Sequence, residues 1–430
     1  MVDPAGGLAS LLREAAMYET ETRGSVRLVP TEGVMSPLQK LMYLTMQHER
    51  YLHAPPEDSD KAIRYPDIGR LQAVYAHCSD MLRRLLKANY VIPDPLSGLQ
   101  SMLIAILALS DAGDAIWSIS PRHGGHEALR PMLALVGRRS RYLRFDECRH
   151  TINSQQHSGL PPKVVYVDHS NNLHPHDVAQ LRQTFPSSTI VVDISQVMLL
   201  VAGGVYPNPL AHGADVITGS THKSLCGPQK GITATNSPVH HDRLSGVVRT
   251  LVSNNHPASV AALAVCLQET ARFGAEFALK MVRNANALAD GLAEFGVPVY
   301  RAVGARDVTS TQHVWVDCAK LGRDAEHACR ALADLKIVTN TLFLPRGGHH
   351  GRGARGLRLG TTELTRVGMQ ARDMHLVADW IATVLHRRDT SQIAERALGL
   401  RARFPAPRYC VDPLDVAGAA DLLRECALLS

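Results

Sequence analysis

The strongest constraint on the fold of this chain is an alternation of short apolar runs with stretches of helical periodicity. Four of these runs, each ending in polar residues, are AIWSIS (115–120), PKVVYVDHS (162–170), STIVVDIS (188–195) and ADVITGS (214–220). A helical pattern, DVAQLRQTF, separates the second run from the third. Short β-branched runs alternating with helices are typical of a largely parallel sheet covered on both faces. The sequence therefore predicts an α/β fold.

Longer helical patterns flank these strands. They cover residues 38–52, 68–86, the segment SGLQSMLIAILALSDAGD and residues 259–296. The segments that follow, HVWVDC, AEHACRALADL, GLRLGT and DMHLVADWIATVL, indicate a smaller α+β domain. A length of 430 residues fits two or three domains. We predict an N-terminal arm (1–40), a large domain (41–275) and a small C-terminal domain (276–430), with a mobile loop or substrate gate at 345–356.

The composition excludes several classes of protein. The net charge of +6 is spread along the chain without a basic block, so we predict small-molecule partners and no nucleic acid. The eight cysteines form no CxxC pair and no zinc spacing, which predicts reduced thiols in a cytoplasmic enzyme and no metal site. The N-terminal residues lack the apolar core of a signal peptide, and no apolar run approaches the ~20 residues of a membrane span. We expect a soluble protein with no membrane partner.

A lysine with unusual neighbours follows the last of the four apolar runs. In THKSLCGPQKG (221–231), Lys223 follows His222, and a Gly-Pro turn comes four residues later. An ordinary surface lysine needs no such surroundings, and many α/β proteins place their chemistry at the ends of buried strands. Lys223 is therefore the first candidate for a catalytic role.

Five segments in a fixed order resemble the motifs of serine hydroxymethyltransferases. They are LVPTEGVMSP (28–37), LSGLQS (96–101), PRHGGH (121–126), the block from VVDIS to THK (191–223) and GLRLGTTELTRVG (356–368). The resemblance spans most of the chain, and five motifs in family order are far more specific than one lysine motif. It implies a pyridoxal 5'-phosphate enzyme of the aspartate-aminotransferase-like fold type I. That fold has a large domain with a mainly parallel seven-stranded sheet and a smaller α+β C-terminal domain.

The resemblance also implies a role for the main polar residues. Lys223 would form a Schiff base with the cofactor aldehyde, which requires a lysine that can lose its proton near neutral pH. Asp193 would pair with the pyridine nitrogen and keep the ring able to accept electrons. His123 would lie over the ring, and Arg358 would hold the substrate carboxylate in a two-bond fork.

The remaining site residues follow from the same motifs. Ser97 and Gly98 begin a helix, whose N-terminus is a natural phosphate cradle. The predicted cofactor-binding residues are Ser97, Gly98, Leu99, His123, Ser170, Asp193, Gln196, Ser220, His222, Lys223, Ser253 and Asn254. The predicted catalytic residues are Lys223, His123, Asp193, His53, Tyr51 and His222, and the predicted substrate-binding residues are Thr31, Glu32, Tyr51 and Arg358. Taken singly, SGLQS could be only a helix start and Asp193 only a cap, but their ordered combination favours the functional interpretation.

The departures from the family concern folate. The family segment Y-x-E-G-Y-P-G-x-R-Y-Y-G-G, whose glutamate and tyrosines serve the active site and the folate, is here YLHAPPEDSDKAIRYPD (51–67). Tyr51 remains, but His53 stands at the glutamate position and the paired tyrosines are missing. Gln196 replaces a histidine near the cofactor's phenolic oxygen, and GPQKG replaces the family's G-P-R-G-G. These changes imply that folate binding is lost while amino-acid binding is kept.

A second resemblance is to the natural-product branch of the family, which contains the threonine transaldolases. It is carried by GPQKG, SNNH (253–256) and the terminal RFPAPRYCVD. Threonine transaldolases cleave L-threonine to acetaldehyde and a glycyl carbanion, and add the carbanion to another aldehyde. The resemblance predicts a folate-independent aldol enzyme that makes β-hydroxy-α-amino acids. The base for the β-hydroxyl proton would be His53, His123, His126 or His222.

Three other functions stay open at this point: another reaction at Cα (racemisation, α-substitution or oxidation), serine hydroxymethyltransferase activity, and a non-catalytic scaffold. The family also implies a homodimer with shared active sites. Tyr51 and His53 would reach the partner's site, and the loop at 253–256 would offer N–H groups to the partner's phosphate.

Overall fold

The computed structural model describes residues 4–52, 68–153, 160–168, 170–345 and 355–426. The predictions for His53 and for most of the loop at 345–356 lie outside these ranges. The helices are α1 (Pro4–Arg23), α2 (Pro37–Leu41), α3 (Gly69–Leu86), α4 (Gly98–Leu109), α5 (Leu129–Leu135), α6 (Val178–Thr184), α7 (Met198–Ala202), α8 (Pro238–Leu251), α9 (Pro257–Glu294), α10 (Ala325–Asp334), α11 (Thr362–Arg366), α12 (Ala371–Leu385), α13 (Ile393–Ala402) and α14 (Ala419–Glu425). The strands are β1 (Val26–Arg27), β2 (Tyr90–Ile92), β3 (Ala115–Ser118), β4 (Arg139–Tyr142), β5 (Phe145–Asp146), β6 (Thr151–Ile152), β7 (Val164–Asp168), β8 (Thr189–Asp193), β9 (Val216–Ser220), β10 (Gly231–Thr235), β11 (His313–Val316), β12 (Ile337–Val338), β13 (Asn340–Phe343) and β14 (Arg355–Gly360).

Seven of the described strands form the main sheet, in the order β2-β10-β9-β8-β7-β3-β4. Only β10 runs antiparallel to its neighbours; the others are mutually parallel. Alternate residues of the central strands enter two apolar cores, so that Val165 and Val192 pack on one face and Tyr166 and Val191 on the other. Helices cover both faces, which explains the nearly continuous apolar runs in the sequence. The predicted α/β fold with a mainly parallel sheet is confirmed.

Residues 38–52 do not form the single helix that their periodicity predicts. Helix α2 ends at Leu41, and two short 3-10 turns follow, Met42–Leu44 and Met46–Glu49. The break is at Thr45, whose backbone is extended (φ −83°, ψ 159°) and whose hydroxyl donates to the carbonyl of Met42 (2.8 Å). A threonine hydroxyl that bonds the preceding turn competes with helix continuation.

A second core lies under a three-stranded antiparallel sheet with the order β11-β14-β13. Strand β1 pairs in parallel with β12, so Val26 and Leu28 from the predicted N-terminal arm are buried in this core. Helix α9 spans 38 residues; its apolar residues from Val260 to Met281 pack in the core of the main sheet, and those from Ala285 to Leu292 pack in the second core. The predicted domain boundary at 275/276 lies inside this helix.

The carboxyl ends of β7, β8 and β9 meet at one edge of the main sheet, and their last residues are Asp168, Asp193 and Ser220. This edge is where open parallel sheets bind ligands. Among the described helices, none has both the length and the apolar character needed to cross a bilayer.

Candidate active site

Lys223 lies three residues beyond β9 and lines a cleft of about 350 Å³. Its side chain is half-buried and makes no hydrogen bond within the described part of the chain. Burial lowers the pKa of the Lys223 ammonium, although Asp193 acts in the opposite direction. A lysine with a lowered pKa can offer a neutral amine as a nucleophile. A Cβ at Gly33 would lie 2.5 Å from the carbonyl oxygen of Lys223, so the N-terminal motif fits this turn only with glycine.

The carboxylate of Asp193 is buried at the end of β8 and is held from two sides. The N–H of Ser195 donates to Oδ1 (2.8 Å), and the hydroxyl of Thr218 donates to Oδ2 (3.0 Å). Because the Thr218 proton is used there, the Tyr166 hydroxyl, 2.7 Å from Thr218 Oγ1, is the donor in that contact. The chain Tyr166–Thr218–Asp193 fixes the direction in which the carboxylate can meet a cationic ring nitrogen.

Asp168, at the end of β7, orders two loops around the cleft. Its carboxylate accepts the N–H of His126 (2.6 Å) and the N–H of Ser170 (3.1 Å), and burial raises its pKa. His126 and Ser170 both line the cleft with Lys223. His123 does not: its ring stacks on Phe145, with centroids 4.7 Å apart, and its Nε2 lies 3.0 Å from a carboxylate oxygen of Glu147. A role for His123 over the cofactor stays a prediction.

Arg358, on β14, brings a fixed cation to the same cleft as Lys223. Its Nε donates to Asn340 (3.0 Å) and its Nη1 to Asn171 (2.5 Å). Burial lowers the pKa of the guanidinium to about 10, which still leaves it charged at neutral pH. The asparagines leave Nη2 and the second hydrogen of Nη1 for a ligand, and that edge suits a carboxylate.

The start of α4 forms a cradle for an anion. Ser97 caps this helix by accepting the N–H of Gln100 (3.1 Å), and Leu99 is exposed. A Cβ at Gly98 would lie 2.8 Å from Ser220 Cβ, so the helix N-terminus lies directly against that residue. The buried hydroxyl of Ser220 has no hydrogen-bond partner among the described residues. A buried hydroxyl left without a partner is costly, and beside free helix N–H groups it fits the phosphate of a cofactor.

The remaining predicted residues divide into those that line the cleft and those that do not. Thr31 and Gln196 line it. Glu32 does not, and its carboxylate instead binds Arg27 through two contacts of 2.8 and 3.0 Å. His222 is half-buried next to Lys223, and burial lowers its pKa to about 4, with Lys223 acting in the same direction.

The loop before α9 is tied to the segment that carries Tyr51. Asn254 accepts the N–H of Leu52 (3.2 Å) and donates to the carbonyl of Arg50 (3.3 Å). Ser253 is exposed, and none of Tyr51, Ser253 and Asn254 lines the cleft of its own chain. Their predicted roles remain predictions.

Three residues of the site escape the sequence motifs. Asp168 ends a buried strand and Asn171 lies three residues beyond it, and a polar residue at such a strand end is a usable signal. Asn340 has no comparable signal, since it meets Arg358 only because β13 pairs with β14.

An amine nucleophile above the carboxyl ends of the central strands of this sheet, with a carboxylate at the neighbouring strand end and an anion cradle on α4, is the arrangement of fold type I pyridoxal-phosphate enzymes. The sequence model of the serine hydroxymethyltransferase family matches residues 71–381, and the chain belongs to this family. It is a pyridoxal-phosphate-dependent transferase or aldolase, as the motifs predict.

The similar proteins include both serine hydroxymethyltransferases and transaldolases. A serine hydroxymethyltransferase of Methanopyrus kandleri is 32% identical over 410 residues, covering 93% of this chain and 94% of the relative. A fluorothreonine transaldolase of Streptantibioticus cattleyicolor is 30% identical over 442 residues, covering 97% of this chain and 67% of the relative. The crystal structure of an L-threonine transaldolase from Pseudomonas fluorescens superposes with a TM-score of 0.87 at 25% identity, covering 98% of both chains.

Proposed function

We propose that the protein is a folate-independent L-threonine transaldolase, which moves the glycine unit of L-threonine to an acceptor aldehyde. The products are acetaldehyde and a new β-hydroxy-α-amino acid. The observation that carries the proposal is a cleft with a complete amino-acid anchor, Arg358 beside Lys223, in a chain whose segment 51–67 lacks the family's glutamate and paired tyrosines. Within this proposal the enzyme is a cytoplasmic homodimer of natural-product biosynthesis.

Within this proposal, Lys223 and Asp193 bind the cofactor and Arg358 binds the substrate. When bound, pyridoxal phosphate supplies an electron sink for negative charge at the substrate's Cα. Lys223 would offer the amine that attaches the cofactor aldehyde, and Asp193 would pair with the protonated ring nitrogen. Arg358 would bind the substrate carboxylate and so fix the orientation of the bonds at Cα.

A base must accept the proton of the β-hydroxyl. In His126, Nδ1 accepts the N–H of Ala128 (3.2 Å), so the neutral ring carries its proton on Nε2 and is suited to donate. His222 is neutral at pH 7 because burial lowers its pKa. The base in this proposal is therefore His53, His123 or His222. His126 would instead donate a hydrogen bond from Nε2.

The test incubates the holoenzyme with L-threonine and a panel of aldehydes, with and without tetrahydrofolate. Acetaldehyde should be released in step with a new β-hydroxy-α-amino acid, independently of folate. If threonine yields no acetaldehyde with any acceptor, the proposal is rejected.

Serine hydroxymethyltransferase activity is the second candidate, because the Methanopyrus kandleri relative is as similar in sequence as the transaldolase. The same incubations with L-serine separate the two. We expect negligible conversion of serine to glycine at any folate concentration, whereas robust folate-dependent glycine formation would establish the second candidate instead.

A further inference from the structure

Three amide and imidazole groups form a buried cluster beneath the cleft. Gln196 lines the cleft beside Lys223 and is 2% exposed. Gln312 and His313, at the start of β11, are 0% and 1% exposed and contact Gln196 from the protein side. No motif of the sequence points to Gln312 or His313, yet they are the only described side chains that hydrogen-bond the Gln196 amide.

The orientation of Gln312 is decided by a backbone atom. Its Nε2 lies 2.7 Å from the main-chain carbonyl oxygen of Gln196. A carbonyl oxygen can only accept, so the atom of Gln312 at this place must be the NH₂ nitrogen. The orientation of the amide therefore follows from chemistry, independently of how its two ends are assigned.

The orientation of Gln196 follows from that of Gln312. The same NH₂ nitrogen lies 3.2 Å from the side-chain amide of Gln196, so the Gln196 atom that it meets is the carbonyl oxygen Oε1. His313 Nε2 lies 3.2 Å from the same oxygen and must also donate, which places the ring proton on Nε2. His313 Nδ1 has no partner within the described part of the chain, and burial keeps the pKa of the ring well below its usual value, with Arg358 and Lys223 acting in the same direction. The ring is therefore neutral.

Gln312 and His313 thus occupy both acceptor positions of the Gln196 amide oxygen. Its NH₂ group meets no acceptor among the described residues and is the part of the amide left to face the cleft. We propose that Gln312 and His313 are positioning residues that hold the Gln196 NH₂ group toward the bound cofactor as a fixed donor to its phenolic oxygen. The inference rests on the cofactor and on Lys223 as its attachment residue, but not on the reaction that the enzyme catalyses.

The consequence is electronic and can be measured on the cofactor itself. A hydrogen bond to an anionic oxygen draws negative charge toward the donor and makes the neighbouring nitrogen of the lysine linkage less basic. A glutamine amide does not titrate, so this donor acts at every pH, unlike a histidine in the same place. The titratable groups that surround the linkage are Asp168, Asp193, His126, His222, His313 and Arg358.

The experiment titrates the absorbance of the lysine-linked cofactor with pH in the holoenzyme. Gln196→Met keeps the length of the side chain but removes the donor, and should raise the pKa of the chromophore by about one unit or more. Gln312→Met should shift it in the same direction, and the double variant should shift it no further than Gln196→Met alone. Gln229→Met, at an exposed glutamine of the lysine motif, serves as the matched control and should leave it unchanged.

Two outcomes would overturn the proposal. An unchanged chromophore pKa in Gln196→Met would show that the amide does not face the cofactor. A Gln312→Met shift of undiminished size in the Gln196→Met background would show that Gln312 acts by another route. If the methionine variants fail to fold, Gln196→Glu replaces the NH₂ group by oxygen at constant shape. This variant should raise the pKa of the chromophore further. A lowered or unchanged chromophore pKa in Gln196→Glu would contradict the proposal.

Discussion

Lys223 and Lys230 belong to one short motif, but their surroundings differ. Lys223 Nζ faces the cleft without a hydrogen bond to any described residue. Lys230 is fully buried, and its Nζ donates to the carbonyl oxygens of Asn255 (2.7 Å) and Asp94 (3.2 Å). Lys230 thereby ties the loop that leads into α4 to the loop that leads into α9. It stands where the family pattern G-P-R-G-G has a glycine, so this tie is a departure from that pattern.

The first prediction separates the two lysines. Lys223→Ala should lose the covalently bound cofactor absorbance and reduce turnover to background, because no other lysine of the described residues lines the cleft. Borohydride reduction of the native protein should leave the label on the peptide that contains Lys223. Lys230→Met is the matched control and should keep the covalent link. A label on Lys230 or on another lysine would contradict the assignment.

The second prediction uses the titration of Lys230. Burial lowers its pKa from 10.5 to about 8, with Asp94 opposing the shift. Between these two values the unfolded chain binds more protons than the folded chain, so this residue makes the protein more stable as the pH rises from 8 toward 10.5. Below pH 8 the free-energy cost of burying the Lys230 charge is constant. Between pH 8 and pH 10.5 this cost falls by about 3 kcal/mol.

Urea unfolding of the wild type and of Lys230→Met at several pH values between 7.5 and 10.5 tests this directly. The free energy of unfolding of the variant should rise less steeply with pH than that of the wild type. Parallel curves for the two proteins would contradict the assigned burial of the charge.

At the scale of secondary-structure elements, the central parallel strands could be predicted, but the antiparallel strand β10 could not. All of β7 and β9 and four of the five residues of β8 are buried, so they appear as continuous apolar runs. The small residues of β10 carry no such pattern, so neither this strand nor its antiparallel pairing with β9 and β2 could be read from the sequence. The motifs contain Lys223 and Arg358, which line one cleft, but they give no sign of contacts such as that between Gln312 and Gln196, which join residues 116 apart in the chain.

The third prediction concerns the contact between β10 and α4. A Cβ at Gly231 would lie 2.2 Å from both the carbonyl oxygen of Ser97 and the hydroxyl of Ser101. Because Ser97 O is a backbone atom of the first turn, Gly231→Ala must displace the start of the phosphate cradle. We expect a loss of about 1–3 kcal/mol in stability and weaker cofactor binding.

Gly246→Ala is the matched control. This glycine lies within α8, where a Cβ would come no closer than 3.8 Å to a side-chain atom, Arg249 Nη2. The change should stabilise the helix by up to about 1 kcal/mol and leave cofactor affinity unaltered. Equal affinities and melting temperatures for wild type and Gly231→Ala would refute the proposed contact.

At the scale of the whole molecule, the fourth prediction concerns assembly. The two segments predicted to serve the partner's site, around Tyr51 and at 253–256, are joined by the contacts of Asn254. We propose a two-fold homodimer in which both segments of one chain complete the site of the other. Mixing Lys223→Ala chains with Tyr51→Phe chains, each inactive alone, should restore activity, because each mixed dimer contains one intact site in two. A fully active monomer in ultracentrifugation, or no rescue despite proven subunit exchange, would rule this out.

Helix α9 also limits how this enzyme can be taken apart. Its 38 residues form an unbroken rod of roughly 57 Å that is built into both hydrophobic cores. A cut at 275/276 would divide this rod and leave each fragment with an open apolar groove in place of a helix. Chimaeras with other members of the family therefore need to exchange α9 whole, together with the surfaces that it closes at both ends.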